Sequence, residues 1–169
     1  MVATARALRR ITAGSRTLLI VNDDPALAAE AEADGVHVGQ DDMSPVEVRA
    51  KFPQLKVVGL STHNLDQVRA SRGQPIDYLG VGPVYATPTK DIPDPTLGLK
   101  TMGEMIAAAA YPAVAIGGID AARLPEVLSA GARNFAVVRA VCQSTDPYSA
   151  IRRLQQIADG TNGGNHDPA

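Results

Sequence analysis

Residues 80–90, Gly-Val-Gly-Pro-Val-Tyr-Ala-Thr-Pro-Thr-Lys, have the composition of a loop that binds an anionic ligand. They follow the apolar run 76–79, so they begin where a buried strand is predicted to end. Two glycines let a ligand approach the backbone closely, and two prolines stiffen the loop. Thr87, Thr89 and Lys90 add two hydroxyls and a cation, which suit a phosphate-bearing substrate. Alone, the pattern fits an ordinary strand-to-loop turn equally well.

Carboxylates and amides follow two earlier apolar runs. Asn22 and Asp23 end the first run, and Gln40, Asp41 and Asp42 follow the second. Because adjacent parallel strands bring their carboxyl ends together, these side chains are expected to converge. Mg²⁺ takes one or two carboxylates together with phosphate oxygens of a substrate. The alternative is that these aspartates only cap helices. Helix capping is the role we expect for Asp24, which follows Asp23.

Three weaker signals lie further along the chain. His37 stands inside the second predicted strand, where a lone histidine is more often a buried, hydrogen-bonded residue than a metal ligand. Ser61 and His63 are too close in sequence to indicate a nucleophile pair, so we expect Ser61 to contact phosphate through its hydroxyl. Gly117-Gly118 and Val138-Arg139 resemble the pair of loops that binds phosphate after the last two strands of a (β/α)₈ barrel.

Six apolar runs alternate with amphipathic segments and position these residues. The predicted strands lie at residues 17–21, 36–38, 56–60, 77–81, 113–116 and 134–138. Polar residues crowd just after each strand, as they do in a TIM-type (β/α)₈ barrel. A closed barrel needs eight strands, however, and an open flavodoxin-like sheet about five, so periodicity alone does not choose between them. We expect one domain over residues 1–159 and a disordered tail over 160–169.

Composition excludes several classes of protein. The chain has 169 residues, is 45% hydrophobic and 20% charged, and has a net charge of −2, which leaves no basic footprint for nucleic acid. No apolar run approaches the roughly 20 residues that span a bilayer. Cys142 is the only cysteine, which excludes an internal disulfide and fits a reducing compartment. We therefore expect a cytoplasmic protein with neither nucleic acid nor membrane as a partner.

Six segments, in the order in which they occur along the chain, together resemble the thiamine phosphate synthase family. They are Leu-Ile-Val-Asn-Asp (19–23), Asp-Gly-Val-His-Val-Gly-Gln-Asp-Asp (34–42), Gly-Leu-Ser-Thr-His (59–63), the loop 80–90, Ala-Ile-Gly-Gly-Ile (115–119) and Ala-Val-Val-Arg-Ala (136–140). The resemblance runs from about residue 17 to 157. It implies a (β/α)₈ barrel and a transferase of thiamine biosynthesis. Such an enzyme joins hydroxymethylpyrimidine diphosphate to a thiazole phosphate and releases pyrophosphate.

Carried over by position, the resemblance implies a metal site and a pyrimidine site. Asp23 and Asp42 would be the Mg²⁺ ligands, through which the metal holds the pyrophosphate. Asn22 and His37 would contact the pyrimidine side of the substrate.

The same resemblance assigns the phosphate contacts. Ser61 and Lys90 would contact the pyrophosphate, and they are the candidate catalytic residues. Thr87 and Thr89 would face the thiazole phosphate. The rest of that phosphate site would be formed by Gly118, Val138 and Arg139. The implied chemistry needs charge neutralisation on the leaving pyrophosphate more than it needs a base.

The chain departs from the family pattern at its front. The family's first strand, a helix, and a second strand with a Gln-x-Arg-x-Lys type motif are missing, which agrees with a count of about six strands instead of eight. We therefore expect an incomplete barrel that is a poor catalyst alone, and whose open edges favour a homo-oligomer or a complementing N-terminal segment. The alternatives are a thiazole tautomerase-type barrel and a non-catalytic remnant that binds a phosphate ligand or a partner. Retention of Asp23, Asp42 and Lys90 argues against the tautomerase.

Overall fold

The structure is a computed structural model that describes residues 1–87 and 95–162. The strands are β1 (Ile20–Asn22), β2 (Gly35–Val38), β3 (Val57–Thr62), β4 (Tyr78–Val81), β5 (Ala113–Ile116) and β6 (Asn134–Ala136). The helices are α1 (Val2–Thr12), α2 (Pro25–Glu30), α3 (Pro45–Lys51), α4 (Leu65–Ala70), α5 (Gly98–Ala108), α6 (Leu124–Ser129), α7 (Arg139–Cys142) and α8 (Pro147–Asn162). The six predicted strands are all found in the described part of the chain.

The strands form one sheet in the order β1-β2-β3-β4-β5-β6. β1 and β2, β2 and β3, and β5 and β6 pair in parallel. A flavodoxin-like sheet has the order 2-1-3-4-5, because its chain changes direction at a switch point. The consecutive order observed here is that of a (β/α) barrel, so strand order decides between the two architectures that periodicity left open.

Contacts divide the chain into two compact units. The first comprises Met1–Thr62, Ala70–Gly80 and Ala110–Pro112, and the other described residues form the second. The first unit has a core of fully buried side chains from its strands and helices: Val36, Val38, Val48, Val58 and Leu79. The second unit has its own core, which includes Val81, Met102, Met105, Leu124 and Val127. The prediction of a single domain over residues 1–159 stays a prediction.

The predicted boundaries moved at both ends of the chain. The first strand begins at Ile20 instead of residue 17, and Leu18 is 57% exposed, although a continuous apolar run is typical of a strand covered on both faces. β1 is the first strand of the sheet and pairs only with β2, which explains the lower burial. α8 reaches Asn162 and so includes residues 160–162, where a disordered tail was predicted to begin. The rest of that tail, 163–169, lies outside the described residues.

Capping residues begin two of the helices, and Asp24 takes the capping role that was predicted for it. The Asp24 side chain accepts a hydrogen bond from the Leu27 amide at 2.8 Å and caps α2, with Pro25 at the first helical position. Ser44 and Glu47 form a reciprocal capping box at the start of α3. Because these bonds join residues three apart, the sequence alone is enough to specify them.

At the amino ends of the strands, two aspartates connect strands to helices. Asp34 immediately precedes β2, accepts the Leu19 amide at 2.8 Å and pairs with Arg9 of α1 at 3.1 Å. Asp77 immediately precedes β4 and makes the equivalent pair of contacts with the Val58 amide and Arg49 of α3, both at 2.6 Å. Each carboxylate satisfies a strand-end amide and a helix guanidinium together, which holds helix and sheet in register.

Candidate active site

The end of β1 lies beside His37 of β2. Asn22, the last residue of β1, is paired with His37 in the strand register. The Asp23 amide then donates to the His37 carbonyl at 2.8 Å, and Asp23 has a φ of +64°. This left-handed conformation is uncommon outside glycine, tolerated best by Asn and Asp, and concentrated at functional sites. The pairing therefore places Asn22 and Asp23 next to β2. Their predicted convergence with Asp42 stays a prediction.

Residues 39–42 form a tight turn after β2. One Asp42 carboxylate oxygen accepts the Gly39 amide at 2.7 Å, and the Asp42 side chain is exposed. Gln40 Nε2 donates to the Ser61 carbonyl at 2.6 Å and so ties this turn to the end of β3. The sequence singled out Gln40 only as a neighbour of the carboxylates. Its contact with Ser61 spans 21 residues and has no local signal.

His37 is the centre of a hydrogen-bonded group that joins three strands. Its Nε2 lies 2.8 Å from Ser61 Oγ on β3, and its Nδ1 lies 3.0 Å from Tyr78 Oη on β4. The His37 and Tyr78 rings are tilted by 31° with centroids 5.3 Å apart. We call Tyr78, His37 and Ser61 the His37 network. The structure thus brings together two predicted site residues, His37 and Ser61, and adds Tyr78, which sequence reasoning missed.

Two glycines make room for the His37 network. A β-carbon at Gly59 would collide with the Tyr78 ring and with His37 Nδ1. A β-carbon at Gly80 would lie 3.1 Å from His37 Cε1, which is tighter than ordinary van der Waals contact. The central strands therefore carry glycine where two polar rings must approach the backbone.

Burial favours the neutral form of Tyr78. Burial raises the pKa of the Tyr78 phenol above its ordinary value of 10.0, and the negative charge of Asp77 raises it further. Both causes disfavour the phenolate. Tyr78 is thus a neutral hydroxyl at physiological pH.

In the second unit, the loop after β4 packs directly on the end of β5. The Val84 amide donates to the Ile116 carbonyl at 2.9 Å, and the Tyr85 amide donates to the Gly117 carbonyl at 3.0 Å. A β-carbon on Gly117 would lie 2.5 Å from Pro83. Gly118 has a φ of +66°, and a β-carbon there would lie 2.8 Å from Tyr85 Cβ. The Gly-Gly pair predicted as a phosphate loop is thus required both by backbone conformation and by close approach.

Arg123 connects this loop to the helix that follows β5. Its Nη1 donates to the Gly118 carbonyl at 2.7 Å, and its guanidinium carbon lies 4.7 Å from the Tyr85 ring centroid. Tyr85 Oη in turn donates to Glu126 on α6 at 3.4 Å. Burial raises the pKa of the Tyr85 hydroxyl, and the Glu126 carboxylate raises it further. Sequence reasoning missed Arg123, because no motif links it to a tyrosine 38 positions earlier.

The remaining predicted phosphate contacts are described only in part. Val138 is 46% exposed and precedes the four-residue helix α7, which begins with a half-buried Arg139. Both residues follow β6, as predicted, but we did not predict α7. Thr87 is half-buried at the end of the first described segment. Thr89 and Lys90 lie outside the described residues, so their predicted roles stay predictions.

The two candidate metal ligands, Asp23 and Asp42, are both carboxylates. No group of three or more His, Cys, Asp and Glu side chains that could hold a metal occurs within residues 1–87 and 95–162. Mg²⁺ does not require one, because it binds through one or two carboxylates when substrate phosphates and water supply the other oxygens. Asp23 and Asp42 are exposed and offer hard oxygen donors, so they fit Mg²⁺. The metal itself stays a prediction.

A family model described as thiamine monophosphate synthase matches residues 1–141 of the chain. The chain belongs to the thiamine monophosphate synthase family. The match covers more than half of the chain and includes all the candidate site residues, from Asn22 to Arg139. This confirms the predicted family and the predicted enzyme class, a transferase of the thiamine phosphate synthase type.

Individual members of the family agree with this assignment. The thiamine-phosphate synthase of Albidiferax ferrireducens is 41% identical over 158 residues, which cover 94% of this chain and 72% of that protein. The thiamine-phosphate synthase of Synechococcus sp. strain WH7803 is 45% identical over 153 residues, 90% of this chain and 43% of that protein.

A solved structure confirms the fold class. Thiamine phosphate pyrophosphorylase from Pyrococcus furiosus superposes with a TM-score of 0.86 at 30% identity, over 95% of this chain and 76% of that one. The prediction of an α/β chain with about six strands of a (β/α) barrel is therefore confirmed. Among the described helices, none is long and apolar enough to cross a membrane. The predicted cytoplasmic location stays a prediction.

Proposed function

We propose that this chain couples hydroxymethylpyrimidine diphosphate to a thiazole phosphate, forming thiamine phosphate and releasing pyrophosphate. One observation carries the proposal within the family: residues assigned to the pyrimidine diphosphate lie together at the ends of β1, β2 and β3. Asn22 is paired with His37, and His37 is hydrogen-bonded to Ser61 at 2.8 Å. These contacts support a preformed pocket for the small-molecule substrate.

The bond changes of the coupling require little proton transfer. The C–O bond between the pyrimidine methylene and the pyrophosphate breaks, and its electron pair leaves with the pyrophosphate. The lone pair of the thiazole ring nitrogen then forms the new C–N bond to the methylene carbon. This nitrogen carries no proton to be removed, so the reaction needs groups that stabilise developing negative charge on the leaving oxygen.

The described residues of the first unit suit this requirement. Ser61 offers a hydroxyl that donates to a pyrophosphate oxygen, and its backbone is held by Gln40 at 2.6 Å. Asp23 and Asp42 would hold Mg²⁺, which when bound supplies positive charge to the pyrophosphate. The family resemblance adds Lys90 as a further cation for the same group. A held donor is worth more than a mobile one, because it needs no reorganisation as charge develops.

In the second unit, the Gly118 backbone is our candidate for the thiazole phosphate contact. Gly118 has a left-handed backbone conformation, with a φ of +66°, and Arg123 holds its carbonyl at 2.7 Å. Peptide groups in such conformations form concave anion sites. Thr87, Val138 and Arg139 would complete this contact by the family resemblance.

The direct test is turnover by the purified chain. Supplied with Mg²⁺ and both substrates, it should form thiamine phosphate and pyrophosphate in equal amounts, at the low rate expected of an incomplete barrel. Ser61→Ala should lower kcat by about a hundredfold, since removal of one preorganised donor commonly costs that much. Ser129→Ala, at an exposed serine near the end of α6, is the matched control and should leave kcat unchanged.

Binding measurements separate the synthase from the alternative functions. Calorimetric titration should detect binding of both the pyrimidine diphosphate and the thiazole phosphate. A chain that binds thiazole phosphate but ignores the pyrimidine diphosphate would contradict the proposal and favour a tautomerase-type barrel or a phosphate-binding remnant.

A further inference from the structure

The His37 network contains one residue for which the coupling reaction has no evident use. Tyr78 belongs to β4 and reaches His37 across 41 positions of sequence. Its hydroxyl is neutral, and its ring is seated in space that Gly59 leaves open. To accommodate this ring, β3 carries glycine at position 59, and a glycine in the middle of a strand weakens the strand. This cost suggests that Tyr78 has a role beyond filling the core.

The tautomer of His37 connects Tyr78 to Ser61. A neutral imidazole has one nitrogen that donates and one that accepts, so the two partners of His37 cannot both receive a proton from it. A phenol is a much stronger acid than an aliphatic alcohol and is therefore the better donor. Tyr78 then donates to Nδ1, the ring proton lies on Nε2, and Nε2–H donates to Ser61 Oγ 2.8 Å away. In this arrangement the Ser61 O–H proton points elsewhere.

We propose that Tyr78 is a positioning residue of this site, which acts through His37 to present the Ser61 hydroxyl as a hydrogen-bond donor. The proposal rests on the proposed synthase function for its consequence in catalysis. The opposite tautomer would have Ser61 donate to His37, and its hydroxyl proton would not be available to a leaving pyrophosphate oxygen. It follows that the ring nitrogens of His37 act on the substrate through Ser61, because both have protein partners.

The first test reads the tautomer directly, in the full chain and without substrate. Histidines are labelled with ¹⁵N, and the His37 signals are assigned by comparison with His37→Gln. Long-range ¹H–¹⁵N correlation at neutral pH should show a single neutral tautomer with the proton on Nε2. Tyr78→Phe should move the proton partly or wholly to Nδ1. Tyr111→Phe is the matched control, since Tyr111 Oη donates to the Gln74 carbonyl at 2.8 Å, away from His37.

The second test is a double-mutant cycle on turnover. Tyr78→Phe should lower kcat about tenfold and leave KM for the thiazole phosphate within about twofold. In a Ser61→Ala background the same substitution should change kcat by less than about twofold, because the relay has lost its last member. Tyr111→Phe should leave kcat unchanged in both backgrounds.

Several outcomes would overturn the proposal. A wild-type proton on His37 Nδ1, or an unchanged tautomer in Tyr78→Phe, excludes the relay. Equal fold-losses for Tyr78→Phe with and without Ser61 show that Tyr78 acts by another route. If Tyr78→Phe does not fold, the wild-type tautomer alone decides. If the wild-type chain forms no thiamine phosphate, the proposed function fails, and the relay is still judged by the tautomer.

Discussion

Arg49 Nη2 lies 2.6 Å from Asp77 Oδ2, and the same carboxylate oxygen accepts the Val58 amide at 2.6 Å. The guanidinium also donates to three backbone carbonyls, those of Leu55, Lys56 and Pro75. A single arginine on α3 therefore satisfies backbone groups at the starts of β3 and β4. This end of the sheet lies opposite the strand ends that carry the site residues, so loss of the Asp77–Arg49 pair should mainly affect stability.

Asp77→Ala should lower the free energy of unfolding by about 1–2 kcal/mol, because it removes a charged hydrogen bond from the Val58 amide and leaves Arg49 without its anion. The Asp77 side chain is 44% exposed, which keeps the expected loss below that of a buried pair. Urea unfolding measures the change. Asp66→Ala removes a pair with Arg69 whose aspartate is 91% exposed, and it should cost less than about 0.5 kcal/mol. Equal losses for the two variants would contradict the role given to Asp77.

Gly59→Ala should both destabilise the first unit and reduce turnover. The added methyl would collide with the Tyr78 ring and His37, and overpacking of a core commonly costs about 1–3 kcal/mol. Gly160→Ala is the control, since a β-carbon there meets nothing within 4 Å and alanine favours helix. Thermal unfolding and kcat are measured for both. A fully active, fully stable Gly59→Ala would show that the His37 network tolerates displacement.

Asp42→Asn tests the predicted metal site. It should weaken Mg²⁺-dependent pyrophosphate binding at least tenfold, about 1.4 kcal/mol, because the amide removes a negative charge but still accepts the Gly39 amide. Asp41→Asn, at the exposed neighbouring position, should have little effect. Titration calorimetry with and without Mg²⁺ gives both values. Unchanged binding in Asp42→Asn would leave this carboxylate with only its role in the turn.

Arg123→Ala should weaken binding of the thiazole phosphate about fivefold and leave binding of the pyrimidine diphosphate unchanged. The reason is that Arg123 holds the Gly118 carbonyl and stacks on Tyr85, so its loss frees the backbone proposed to contact phosphate. Arg133→Ala removes an exposed cation from the same unit and controls for net charge. If both variants weaken binding equally, the effect is one of long-range charge and not of the Gly118 loop.

Because of the capping box of α3, the free energy of unfolding should decrease as the pH becomes acidic. The Ser44 hydroxyl, then the Ser44 amide and the charge of Lys51, hold the pKa of Glu47 below its ordinary value of 4.5. Because the pKa is lowered in the folded state, the stabilisation is present above pH 4.5 and is lost as pH falls through the lowered pKa. Ser44→Ala should therefore differ more from wild type at neutral pH than at a pH below the lowered pKa. A pH-independent difference in unfolding free energy would exclude this linkage.

The sequence by itself predicted the six strands and the capped starts of two helices. Continuous apolar runs predicted all six strands, because a strand of a parallel sheet is buried on both faces and shows no alternation. The caps of α2 and α3 were predictable since each joins residues three apart in the chain. The polar residues after each strand, Asn22 and Asp23 among them, were recognisable as site candidates from the same pattern. These features depend on neighbours in sequence, which is the information a sequence shows directly.

Only the tertiary structure decided which side chains meet. Strand order chose the barrel over the doubly wound sheet, since periodicity is the same in both. The contacts of His37 with Ser61 and Tyr78 span 24 and 41 positions, so no local spacing indicated them. The same holds for Gly59, whose missing β-carbon has meaning only when the rings from β2 and β4 lie beside it. The register between strands decides which of these side chains come into contact, and the register follows from the packing of the whole sheet.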